Sequence, residues 1–300
     1  MRLKLASSVK MVWWNIYYLD RAIEIVGRNK QLMRQLIEVA KTKYKVGKGL
    51  QQDVLLAQLE LSKLENKAIV LRGKRENQAA RLNALLDRTM DKAVLITTKP
   101  VGALLELGDE PRLRKVALEK RPFLSQKQST IDTAQARLNL AKKNYYPDFK
   151  LGAVYGFREG NNRDGSPRSD FLSVMFSMNL PLYTGSRQDK AVDQRSSELM
   201  QARYGFKDAA GKVAEQVSRA MSDYRQARQQ ALLLKTGIIP QANQTVSSML
   251  AAYQVSKVDF LNLVRIQITL FNYEIRYWKA ISLGNQALAR LIAATGKQVL

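Results

Sequence analysis

Two short segments between residues 148 and 182 alternate strictly between apolar and polar positions, and they interrupt a chain whose other apolar residues recur at helical spacing. In the first, Phe149, Leu151, Ala153, Tyr155 and Phe157 take alternate positions, with Lys150, Gly152, Val154, Gly156 and Arg158 between them. In the second, Leu172, Val174, Phe176, Met178, Leu180 and Leu182 alternate with Phe171, Ser173, Met175, Ser177 and Asn179. Successive strand side chains point to opposite faces, so each segment predicts a strand with one apolar face. The polar loop 159–167, rich in Gly, Asn and Asp, joins them as a hairpin. Runs of roughly 9 to 11 residues suffice for a tilted strand to cross the hydrocarbon of a bilayer. The same alternation also fits a half-buried hairpin in a soluble domain.

Beyond residue 196 the apolar residues follow a heptad. Phe206, Ala210, Val213, Val217, Ala220, Tyr224, Ala227, Ala231, Leu234 and Ile238 are separated by steps of four and three. A repeat of 3.5 residues predicts left-handed supercoiling against neighbouring helices, and the Ala and Val positions allow a close approach. A helix over 187–253 would be roughly 100 Å long, with a kink expected at Pro240. Leu261, Val264, Ile268, Phe271, Ile275 and Trp278 continue the spacing over 257–295.

The chain also repeats itself at an offset of 209 residues, a period long enough to mark two copies of one supersecondary unit. The segment from Tyr44 to Leu50 aligns with that from Tyr253 to Asp259. Farther on, Gln58, Leu61 and Glu65 meet Gln267, Leu270 and Glu274, and Arg81-Leu82 meets Arg290-Leu291. Both copies read as helix, tight turn, helix. Residues 88–121 carry Pro100, Gly102, Gly108 and Pro111 and read as an irregular connection. Helical spacing resumes through Ile131, Ala134, Leu138 and Ala141.

Residue types narrow the chemistry. The chain contains neither Cys nor His, which removes disulfides, thiol nucleophiles, imidazole bases and the usual zinc sites. Gly47-Lys48-Gly49 lacks the pattern of a phosphate loop. No enzyme activity, metal or cofactor is therefore expected. No stretch is apolar enough for a membrane helix. Lys and Arg number 49 against 26 Asp and Glu, a net charge of +23, which would attract nucleic acid, anionic lipid or acidic partners. The basic residues are scattered along helical segments rather than clustered beside aromatics. A basic coiled-coil protein binding nucleic acid or anionic membrane is the alternative reading of these features.

Taken in order, these features resemble the TolC-type outer-membrane efflux duct family. The matching residues are Arg121-Pro122 before a helix, Tyr146-Pro147 opening a strand, Leu180-Pro181-Leu182 with Gly185 closing the next, the turns after Tyr44 and Tyr253, and the run from Leu55 to Leu61 after Asp53-Val54. The fold this implies is mainly α. Long coiled-coil helices form an α-barrel protomer, and one transmembrane β-hairpin contributes to an outer-membrane β-barrel. The expected divisions are a first-repeat helix-turn-helix over 1–87, an irregular equatorial region over 88–121, and a second repeat over 122–300 with its hairpin at 147–183. The family builds a homotrimer of twelve strands, whereas three copies of this chain would offer six. The resemblance thus predicts a first repeat lacking its N-terminal part and its hairpin, and leaves open an inactive fragment.

By the same resemblance the protein is an outer-membrane channel of a Gram-negative bacterium, with helices in the periplasm. It would work with an inner-membrane pump and a periplasmic adaptor in tripartite efflux or type I secretion, with no nucleic acid as partner. The adaptor-contacting tips map to Val46, Gly47, Lys48 and Gly49 and to Val255, Ser256, Lys257 and Val258. The periplasmic gate maps to Asp53, Tyr253, Asn262 and Arg265. Phe149, Leu151, Tyr155, Phe157, Leu172, Val174, Phe176 and Leu180 would face lipid. A gate with Asn262 at the position equivalent to Asp53 is expected to hold cations less firmly than an all-carboxylate ring. Drugs, metal ions and polypeptides all remain open as cargo.

Overall fold

The computed structural model of the protein describes residues 2–96, 104–255 and 257–296. Seven α-helices and one two-stranded antiparallel sheet are found among them: α1 (Arg2–Lys45), α2 (Gln51–Leu85), α3 (Glu110–Lys120), α4 (Pro122–Lys143), β1 (Asp148–Gly156), β2 (Phe171–Asn179), α5 (Gln188–Leu233), α6 (Ile239–Gln254) and α7 (Phe260–Thr295). A π-helical turn, Leu234–Ile238, joins α5 to α6. The chain divides into two compact units, one of residues 1–121 with 212–300 and the other of residues 122–211.

The larger unit is built from two helical hairpins, α1 with α2 and α6 with α7, and α1 also packs on α7. α1 buries Leu19, Ala22, Ile25, Val26, Met33, Leu36, Ile37 and Ala40, a stripe with steps of three and four that lies on one helix face. Against it pack Ala57, Leu64, Ala68 and Leu71 of α2, and Leu263, Val264, Phe271 and Ile275 of α7. At about 1.5 to 3 kcal/mol per large apolar side chain removed from water, this stripe is the main stabilising term.

From Val213 the predicted heptad is the buried stripe: Val213, Val217, Ala220, Tyr224, Ala227 and Ala231 of α5 and Leu234 of the π-helical turn are all at most 4% exposed, while Phe206, Ala210 and Ile238 at its ends are half-buried. The helical path continues through Pro240. Proline has no N–H to donate and its ring collides with the carbonyl four residues earlier. The widened turn just before it absorbs both defects, with the Ile239 N–H donating to the Leu234 carbonyl five residues back. On α7 one position departs from the predicted stripe. Leu261 is 48% exposed, and Phe260 is buried in its place, its ring 5.3 Å from that of Tyr253. Packing across the turn, not helical periodicity, sets the first residue of α7.

The connecting segment is tied down by its backbone. Tyr224 Oη donates to the Leu105 carbonyl at 2.6 Å and Arg228 Nε to the Leu104 carbonyl at 3.2 Å. A Cβ on Gly284 would stand 2.3 Å from Leu104 Cδ1, so the missing side chain seats Leu104 on α7. Earlier in the segment Arg75 bridges Asp20 at 2.7 Å and the Val94 carbonyl at 2.8 Å, and the buried Asn83 amide donates to the carbonyls of Met90 and Lys92. Pro100 and Gly102 lie outside the described residues.

The smaller unit contains α4, the hairpin and the first part of α5. Ala134 and Leu138 of α4 pack on Leu199. α4 starts at Pro122, whose fixed φ suits a first helical position, and Arg121 before it is extended with ψ 119°.

Candidate functional site

The first turn between helices is closed by backbone geometry. The Lys48 N–H donates to the Lys43 carbonyl at 2.8 Å and the Gly47 N–H to the Tyr44 carbonyl at 3.0 Å. Gly47 adopts φ +71°, which makes this a Schellman ending with glycine where an L side chain would be strained. Gly49 has a different reason to be glycine: a Cβ there would lie 2.9 Å from Lys43 Cβ and 3.2 Å from the Lys43 carbonyl carbon and the Tyr44 nitrogen.

The second turn repeats the bond pattern at the predicted offset. Lys257 N–H donates to the Ala252 carbonyl at 2.8 Å, as Lys48 does to Lys43, and Asn262 N–H donates to Asp259 as Asp53 does to Leu50. Ser256 lies outside the described residues. Val46 and Val255 are 62% and 65% exposed, Lys48, Lys257 and Gly47 are also exposed, and Val258 is half-buried. Each turn therefore presents an apolar and a cationic side chain to its surroundings.

The two turns meet through Lys43 and Tyr253. Lys43 Nζ donates to the Tyr253 carbonyl at 2.5 Å and lies 4.2 Å from the centre of its ring. Tyr253 is 5% exposed, packs on Phe260, and has a buried hydroxyl with no hydrogen-bond partner among the described residues. Burial, with a smaller contribution from the Asp53 charge, pushes its phenol above the ordinary range. Asp53, the third helical residue of α2, accepts a hydrogen bond from the Leu50 backbone, the reach-back half of a capping box. Loss of water raises the Asp53 carboxyl above its usual range and Asp259 adds repulsion, while the Leu50 bond and Lys43 act the other way.

Of the predicted gate residues, Asp53 and Tyr253 are thus brought to one place. Asn262 and Arg265 stand on exposed positions of α7. Lys43 and Asp259 belong to this cluster although neither the gate nor the tip assignment includes them, and Gly49, assigned to the first tip, packs on Lys43. The repeat does not point to Lys43, since Ala252 stands opposite it. Among the described residues no group of three or more metal-ligating side chains converges.

The hairpin registers Phe149 with Met178, Leu151 with Phe176, Ala153 with Val174 and Tyr155 with Leu172. Directly paired residues share a face, so the apolar sets of both strands lie on one side of the sheet. That face is bare: Leu151 is 78%, Val174 68%, Phe176 68% and Leu172 66% exposed. Phe157 and Leu180 lie one residue beyond the paired ladder and are also exposed. The opposite face is mixed, pairing Lys150 with Ser177, Gly152 with Met175, Val154 with Ser173 and Gly156 with Phe171. The Phe171 ring covers Gly156, where a Cβ would stand 2.2 Å away, and Arg158 lies 4.7 Å above that ring. No helix among the described residues is long and apolar enough to cross a membrane.

Comparison with known proteins supplies the wider context. The family model described as outer membrane efflux protein matches residues 113–297. The chain is similar to the alkaline protease secretion protein AprF of Pseudomonas aeruginosa, with 20% identity over 87% of this chain and 53% of that protein. It is also similar to the cobalt-zinc-cadmium resistance protein CzcC of Cupriavidus metallidurans, with 24% identity over 62% of this chain and 43% of that one. The chain spans about half the length of the curated relatives it matches. Among solved structures, the outer membrane protein VceC of Vibrio cholerae superposes with a TM-score of 0.85 at 18% identity, over 100% of this chain and 71% of that one. The outer-membrane channel OprN gives 0.87 at 16% identity, over 98% and 66%.

Proposed function

This chain belongs to the outer membrane efflux protein family, and on that premise we propose that it is a channel component of the Gram-negative outer membrane, giving passive export to substrates delivered through a periplasmic adaptor. The observation that carries the reading is the hairpin's apolar face, with Leu151, Leu172, Val174 and Phe176 all at least 66% exposed. A contiguous apolar surface of this kind has to be covered by lipid or by protein. In hydrocarbon the backbone groups at both sheet edges need partners, which a closed barrel of several chains supplies.

The roles follow from that reading. Phe149, Leu151, Tyr155, Phe157, Leu172, Val174, Phe176 and Leu180 meet lipid in a three-subunit assembly. Val46, Gly47, Lys48 and Gly49, with Val255, Ser256, Lys257 and Val258, contact the adaptor. Asp53, Tyr253, Asn262 and Arg265 govern the periplasmic opening, which widens when the coils separate. The expected divisions at 1–87, 88–121 and 122–300 belong to the same proposal. The protein performs no catalysis and needs no cofactor. Its export partners set the cargo.

The test is expression in a Gram-negative host, followed by fractionation, cross-linking and planar-bilayer recording. Detergent-extractable outer-membrane material that cross-links as trimers and conducts ions supports the proposal. A soluble chain forming a salt-sensitive complex with nucleic acid refutes it in favour of a basic binding protein.

A further inference from the structure

The positive charge of the chain is concentrated in the larger unit. Residues 122–211 carry 13 Lys and Arg against 9 Asp and Glu, and the larger unit carries 36 against 17. Carboxylates along its long helices are taken up in ion pairs: Asp20 with Arg75 at 2.7 Å, Glu65 with Lys30 at 3.3 Å, Asp223 with Arg290 at 2.8 Å and Glu274 with Arg28 at 3.7 Å. The cations outnumber such pairs.

The surplus is plainest on α7. Its one carboxylate, Glu274, is half-buried against Arg28. Asn262, Arg265, Thr269, Arg276 and Lys279 follow steps of three, four, seven and three, which places them on one side of the helix. Among the described residues the ion pairs of α7 are those of Glu274 and Arg290, so the exposed Arg265, Arg276 and Lys279 are uncompensated. These three span about 20 Å of helix. Asn262 and Arg265 are also the residues of α7 proposed to govern the periplasmic opening, so the cationic side of α7 continues from that opening along the conduit. At the two turns Lys48 and Lys257 are exposed, while the Asp53 carboxylate is engaged by the Leu50 backbone.

A wall lined with Lys and Arg raises the local concentration of anions and opposes the entry of cations. We propose that the conduit is anion-selective, with Arg265, Arg276 and Lys279 as its selectivity-determining residues, and that its cargo is small anionic solutes. This selectivity rests on the channel reading and deepens it.

Reversal potentials of the full chain in planar bilayers, recorded across a KCl gradient, provide the test. At about 0.1 M salt, where the Debye length is about 10 Å, chloride should permeate at least about threefold over potassium, and the ratio should shrink toward about 1 M salt. Arg265→Glu combined with Arg276→Glu and Lys279→Glu should invert the preference, with helix content checked by circular dichroism. Reversing three exposed cations of α2, Arg72, Lys74 and Arg81, should leave chloride favoured. If the α7 variant loses helix content, Arg265→Gln takes its place and should lower the ratio about twofold. Potassium preference in the wild type, an unchanged ratio in the α7 variant, or an equal shift from the α2 variant overturns the selectivity and leaves the channel reading intact. Absence of any conductance refutes the channel reading itself, and the selectivity with it.

Discussion

Lys43 Nζ donates to the main-chain carbonyl of Tyr253 across 210 residues of sequence, and its ammonium group also stands over that residue's ring. One side chain thereby joins the end of α1 to the end of α6. An ammonium donor to a carbonyl is worth about 1.5 to 3 kcal/mol, and a partly exposed cation over an aromatic face adds about 0.5 to 1 kcal/mol. Lys43→Met keeps the aliphatic stem and removes both. We expect it to lower the unfolding free energy of the chain by about 1 to 3 kcal/mol in urea titrations. In a conducting assembly it should also raise the open probability, as should Tyr253→Ala and Arg265→Ala. Unchanged conductance in all three would place the gate elsewhere.

The two glycines of the first turn should fail in different ways. Gly47→Ala puts a Cβ on a left-handed residue with open space around it, a cost of about 1 kcal/mol with no displacement of neighbours. Gly49→Ala pushes on the Lys43 backbone itself. That substitution should cost more and loosen the Lys43 to Tyr253 link. Amide exchange at Lys48 and Lys257 would report it, with faster exchange at both turns for Gly49→Ala and only at the first for Gly47→Ala.

Asp53 makes the turn region sensitive to acid in a direction that can be worked out. Its folded carboxyl is raised above the ordinary 3.8, chiefly by burial and then by Asp259. As pH rises from that value, the unfolded chain gives up its proton first. Through the window between the unfolded and folded values the folded state holds more protons, so stability falls as pH increases; above the window the penalty is fully present. Asp53→Asn should therefore be more stable than the wild type at neutral pH, with the difference vanishing only as pH falls below the ordinary 3.8. Urea midpoints across that range measure it, and a constant difference would show that the charge is not the cause.

Much of this was legible in the sequence, and the reason differs from element to element. Period-two alternation located both strands and put Leu151 and Phe176 on the same face, because register and face are locked together in a hairpin. The heptad from Val213 to Leu234 predicted its own burial because a helical stripe is a local property. The 209-residue repeat located both turns, down to equivalent hydrogen bonds. Lys43 was not legible, since a lysine near a helix end reads as a solvated cation until the partner carbonyl is known. Gly49 was not legible as a steric requirement because its obstacle is backbone six residues earlier. Phe260 displaced Leu261 from the stripe through a contact with Tyr253 that no periodicity reports. The seat of Leu104 on Gly284 joins an irregular segment to a distant helix, and neither residue carries a motif.

The hairpin offers the sharpest contrast between two kinds of substitution. Leu151 and Phe176 are paired and mostly bare, and Lys150 with Ser177 forms the neighbouring pair on the opposite face. In a bilayer a lysine or arginine on the lipid side near the midplane costs about 2 to 4 kcal/mol, while the lumen side tolerates charge. Leu151→Arg or Phe176→Arg should therefore reduce the detergent-extractable outer-membrane fraction sharply, and Ser177→Arg should leave it near the wild-type level while altering ion selectivity. Helix content should be the same in all three, because none of these side chains is buried in the helical cores. Equal membrane recovery of Leu151→Arg and Ser177→Arg would mean that the apolar face is covered by protein instead of lipid, and the proposed orientation of the hairpin would be wrong.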